Sequence, residues 1–70
     1  MASKDEIRFI VVKDYYRDNQ PFMDNYPILY STEVEANTVK ANLENGSDPS
    51  WFGPETGEES AFLYVDCITL

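Results

Sequence analysis

The chain has no histidine and a single cysteine, Cys67, among its 70 residues. The missing histidine removes the commonest general base and the commonest metal ligand. One cysteine excludes an internal disulfide and, with no histidine beside it, an ordinary Cys/His zinc site. Gly46, Gly53 and Gly57 are too scattered to form a phosphate-cradling loop. No apolar run approaches the roughly 20 residues that span a bilayer. The opening Met1-Ala2-Ser3-Lys4-Asp5-Glu6 has no apolar stretch of signal-peptide length. These absences lead us to expect a cytoplasmic protein without cofactor, metal, membrane segment or catalytic machinery.

Positive charge is also scarce. Past Arg17 the only basic residue is Lys40, set against ten carboxylates, and the chain carries −8 overall. Such a surface repels phosphate and attracts basic surfaces, so direct nucleic-acid binding is not expected. The acids from Asp48 to Glu59 are irregularly spaced and lack the Asp-x-Asp-x-Asp-Gly order of a calcium loop. They read as a solvated acidic loop, with a carboxylate–metal regulatory module as the weaker alternative. Cys67-Ile68-Thr69-Leu70 has the outline of a prenylation box. Thr69 sits where an aliphatic residue belongs, no basic residues lie upstream, and the segment continues a strand pattern, so Cys67 reads as a small core residue.

What remains is a short globular composition, 43% hydrophobic and 26% charged. Glu6 to Val12 reads as a strand with apolar residues on both faces, running on toward Tyr16. Asp18-Asn19-Gln20-Pro21 supplies a turn. Phe22 to Ser31 returns as a second strand, interrupted at Asp24-Asn25-Tyr26-Pro27, with Ile28-Leu29-Tyr30 as its firmest part. Thr32 with Glu35 three positions on fits a capping box, which starts a helix that stops at Gly46. Ala36, Val39 and Leu43 form its buried stripe, widened by Val34 and Ala41. Ser47 to Ser60 is a loop rich in Pro, Gly and Glu. Ala61 to Leu70 closes the chain as a third strand. Residues 1–70 are thus expected to make one α+β domain, β-β-α-β, with a mainly antiparallel three-stranded sheet and one helix on one face. The opposite sheet face would stay uncovered, which leads us to expect a homodimer.

Aromatic residues cluster from Tyr15 to Tyr30, and Trp51-Phe52 stands between prolines. Trp51 either folds back over a small core or is presented as a hot spot. If these side chains bind a partner, Tyr15, Tyr16, Tyr26 and Trp51 are the anchors. Glu33, Glu35, Glu44, Asp48, Glu55, Glu58 and Glu59 would supply charge pairing and steering.

The order of strand, Tyr-rich turn, strand ending Ile-Leu-Tyr-Ser, helix opening Thr-Glu-Val-Glu-Ala, acidic loop and final strand resembles a type of small phage-encoded protein. Proteins of that type bind and inhibit host enzymes or defence complexes, and some carry acidic surfaces that imitate DNA. The resemblance implies a non-enzymatic inhibitor, working in the host cytoplasm, that blocks a basic nucleic-acid-binding surface of a host protein. The alternative is a small structural or assembly subunit whose charge serves solubility.

Overall fold

The computed structural model describes residues 6–70. Three strands, β1 (Ile7–Arg17), β2 (Gln20–Asn25) and β3 (Glu59–Thr69), form an antiparallel sheet in the order β2-β1-β3. One helix, α1 (Glu33–Glu44), packs on β1 and β3. This is the α+β, β-β-α-β architecture anticipated from the sequence.

The first hairpin is tighter and earlier than the sequence suggested. Arg17 pairs with Gln20, so Asp18 and Asn19 alone make the turn. Both have positive φ, 55° and 66°, the two-residue geometry whose twist matches that of the strands it joins. Strand pairing therefore begins at Gln20. Ile28 and Leu29, expected to be strand, lie outside it, and only Tyr30 touches the sheet, through a bridge to Phe9 with both bonds at 2.8 Å. Pro21 is tolerated because β1's odd-numbered residues bond toward β2. Pro21 lies opposite Tyr16, so its missing N–H would have faced away from the sheet.

The helix forms where the capping box places it. Thr32 accepts from the Glu35 N–H, and the Glu35 carboxylate accepts from the Thr32 N–H. At the other end Gly46 takes φ 92°, a conformation that a side chain would strain. Ala36 and Leu43 are buried and Val39 packs beside them. Val34 is 75% exposed and Ala41 is also exposed, so the apolar stripe is narrower than expected. The core beneath the helix is Val11, Leu43 and Leu63, walled by Tyr26, Tyr30, Val39, Trp51 and Phe52.

β3 pairs with β1 from Ile7–Thr69 to Asp14–Phe62, and then slips. Ser60 and Ala61 together oppose Tyr15, and Ser60 has φ 54°. A bulge of this kind bends a strand locally. Here it lies just after Glu58, which turns in against Lys13 on β1.

Candidate functional site

Register assigns every strand residue to one of two faces. On β1 the helix side takes Phe9, Val11, Lys13, Tyr15 and Arg17. A lysine in line with core residues needs a partner, and Lys13 is only 2% exposed. Its ammonium lies 2.6 Å from Glu58 Oε2 and also donates to the Trp51 carbonyl. The rings of Tyr15 and Trp51 stand 4.9 and 4.7 Å away, close enough for cation–π attraction. Glu58 accepts from the Thr56 hydroxyl at 3.0 Å, and Arg17 reaches it at 3.5 Å. Every charge here has a partner, as burial demands. The acidic loop is thereby fastened to the sheet.

This hub redistributes the residues expected at a binding surface. Glu58 is not a solvated acid, because its side chain is 5% exposed and held by Lys13. Tyr15 is buried, with its hydroxyl donating to Asp24 at 2.9 Å. Tyr26 donates to Asp48 at 3.2 Å and meets Trp51 edge-on, with ring centroids 4.9 Å apart. Burial, reinforced by those hydroxyl–carboxylate bonds, raises the pKa of both tyrosines above the ordinary value. Trp51 folds back over the core, one of its two expected placements. Of the four proposed anchors, only Tyr16 stands at the surface.

The acids divide into two groups. Glu33 and Glu35 sit at the helix start, where the dipole favours them. Glu35 is engaged by Ser31 and Thr32, and the Ser31 hydroxyl followed by the Thr32 N–H lowers its pKa. Glu44 lies at the far end of the helix, about 16 Å away at 1.5 Å per residue. It pairs with Lys40 at 3.2 Å. Asp48 caps a turn, accepting from Ser50 at 2.7 Å. Glu55 lies on a short 3-10 turn (Pro54–Thr56), and Glu59 opens β3. Leu43, Glu44, Pro49, Phe52, Pro54 and Ala61 line a groove of about 400 Å³ at this end. Glu44, Asp48, Glu55 and Glu59 are thus carried by the segments around that groove. The helix C-terminus adds its partial negative charge.

Among the described residues no helix lies on the other sheet face. That face carries Arg8, Ile10, Val12, Asp14 and Tyr16 from β1, Pro21, Met23 and Asn25 from β2, and Phe62, Tyr64, Asp66 and Ile68 from β3. The Tyr64 hydroxyl reaches Met23 Sδ at 3.3 Å. Its ring therefore crosses β1 and shields Val12, which is 2% exposed. Met23, Phe62 and Tyr16 remain open at 62%, 54% and 49%. Sequence reasoning passed over Met23 and Phe62 as site residues, although strand alternation already set Phe62 opposite Leu63.

Cys67, expected in the core, is exposed. Its N–H is taken by the Asp66 carboxylate at 2.8 Å. Among the described residues no cluster of three acidic or cysteine side chains is placed to hold a metal ion, and no helix is long and apolar enough to cross a membrane. No family model, curated protein or solved structure matches the chain.

Proposed function

We propose that the protein is a non-enzymatic protein-binding inhibitor of the phage-encoded type, occupying a basic, nucleic-acid-binding surface of a host protein. The observation that carries this reading is the acidic end of the molecule. Glu44 lines an apolar groove at a helix C-terminus, and Asp48, Glu55 and Glu59 lie on the segments that form it, with Lys40 paired to Glu44 and Lys13 to Glu58. Negative potential at such an end speeds encounter with a basic surface, and the groove offers apolar contact once it arrives. Glu33 and Glu35, at the far end of the helix, would extend the negative surface. The partner would be met in the host cytoplasm.

The test begins with capture of the partner from host extract by the wild-type protein and by Glu44→Lys/Glu55→Lys/Glu59→Lys. Loss of capture by the charge-reversed protein, together with displacement of the wild type by duplex DNA or RNA, supports the reading. Joint binding of nucleic acid and this protein to the partner without mutual loss of affinity overturns it. An assembly subunit is the second reading. It is favoured by the uncovered apolar sheet face, which an inhibitor working through its acidic end does not use.

A further inference from the structure

The open sheet face ends, at the β1–β2 hairpin, in a second groove of about 470 Å³. Asp14 lies among its walls with Tyr16, Pro21, Met23 and Phe62. The carboxylates at the first groove are already paired, Glu44 with Lys40 and Glu58 with Lys13. Asp14 is half-buried and, among the described residues, makes neither a hydrogen bond nor an ion pair. A half-buried carboxylate beside apolar side chains suits an arginine, whose stem packs while its head pairs.

The same face supplies that arginine. Arg8 lies six residues from Asp14 on β1, about 20 Å at 3.3–3.4 Å per residue. Among the described residues it is the single cation on this face. Its present contacts are local and weak, a 3.7 Å approach to exposed Glu6 and a bond to the Ile7 carbonyl. We infer that two copies of the chain stack through their open sheet faces, Arg8 of each copy entering the Asp14 groove of the other. The required two-fold axis lies between the sheets, parallel to them and perpendicular to β1, level with Val11. It places Arg8 over Asp14 of the partner subunit, while Ile10 and Val12 between them are already covered within each subunit. It also places Ile68 over Phe62 of the partner subunit. Each contact recurs in reverse, the self-complementarity that a two-fold interface requires.

Charge and shape favour a second copy as the occupant. Two molecules of charge −8 repel one another, and this face, with Arg8 against Asp14 and Asp66, opposes their approach least. The subunit is a slab 48 × 24 × 14 Å with a radius of gyration of 13.7 Å. A compact domain of this length has about 11 Å. Stacking two slabs about 10 Å apart, as packed sheets stand, restores a compact body.

Charge reversal tests the reciprocity. Arg8→Asp alone sets a new carboxylate against Asp14 of the partner subunit. Asp14→Arg alone sets a new guanidinium against Arg8 of the partner subunit, so each variant repels its own kind. In a heterodimer of the two single variants each of the two sites joins a carboxylate to a guanidinium, so mixing them should restore association, and the double reversal should restore it within one chain. Arg8→Asp/Asp14→Arg carries both changes in one chain and restores an opposite pair at each of the two sites. Sedimentation across micromolar concentrations should show a wild-type dimer and each single variant dissociated roughly 100-fold more readily, since facing like charges cost several kcal/mol. The double reversal should regain the dimer. Circular dichroism reports whether each variant is folded, and the Arg8 site, at the strand's exposed end, serves if Asp14→Arg is not. A wild type monomeric throughout, a dimer indifferent to both single reversals, or a folded double reversal that stays monomeric overturns the proposal.

Discussion

Replacing Glu58 by glutamine should be among the most damaging single-atom-scale changes the fold can suffer. The substitution keeps the shape and the bond from Thr56, but leaves the Lys13 ammonium buried without its counter-charge. Breaking a buried ion pair from one side costs about 3–5 kcal/mol. Lys13 retains the Trp51 carbonyl and two aromatic faces, so the lower end, about 3 kcal/mol, is expected. Against a total of roughly 4–10 kcal/mol for a domain this size, that is a large fraction. Lys13→Met should cost less, because Glu58 keeps Arg17 at 3.5 Å and the Thr56 hydroxyl. The double variant Lys13→Met/Glu58→Gln should cost less than the sum of the two singles, since it removes both buried charges together instead of leaving one unpaired. Urea unfolding followed by circular dichroism gives the three values. Emission from Trp51, the protein's one tryptophan, reports loop attachment separately. A Glu58→Gln cost below about 1 kcal/mol, or a double variant as unstable as the sum of the singles, would refute the buried-pair reasoning.

Leu43→Ala should destabilise by about 2–5 kcal/mol, because Leu43 is fully buried under the sheet. Glu44→Ala, one position on, should change stability by less than about 0.5 kcal/mol in the same urea titration, as an exposed pair with Lys40 implies. Thr32→Ala should remove the N-cap and cost about 1 kcal/mol, read by thermal unfolding. Tyr15, Tyr26, Tyr30 and Tyr64 all have pKa values raised above 10.0, chiefly by burial. The unfolded chain therefore loses those protons first, and the stability they contribute, intact below pH 10, is lost as pH rises through the folded values. Tyrosinate absorbance in an alkaline titration should lag in the folded protein, then rise together with unfolding.

The helix was the most legible element, because its start and stop are written in adjacent residues: Thr32 with Glu35, then Gly46. The second strand was misplaced for an equally local reason. Ile28-Leu29-Tyr30 has strand composition, whereas Gln20–Asn25 contains a proline and several polar residues. Pairing won, because a two-residue turn at Asp18-Asn19 commits the chain to immediate return, and an edge strand spares Pro21 its N–H. Of the candidate site, the acids on the helix were readable from periodicity. The fate of Glu58 was not. Lys13 falling in line with Val11 and Tyr15 was a signal of a buried cation that the sequence reading did not use, and its partner lies 45 positions away. Nothing local distinguishes Glu58 from Glu55 or Glu59. The bulge at Ser60, which precedes the regular pairing of β3, is likewise a property of the assembled sheet.

The sheet order β2-β1-β3 also has a consequence for the time course of folding. β1 is the middle strand, yet one neighbour follows it after two residues and the other joins it from the far side of the helix and the acidic loop. The hairpin can zip within microseconds, but the β1–β3 ladder must close a loop of most of the chain, which slows the last step. Until β3 arrives, one edge of β1 is unpaired and Val11 and Val12 are unprotected, the condition in which half-formed sheets associate wrongly. The same carboxylates that crowd the finished surface are already in place during that interval. By keeping unfinished chains apart, they would protect the nascent protein before they serve the mature one.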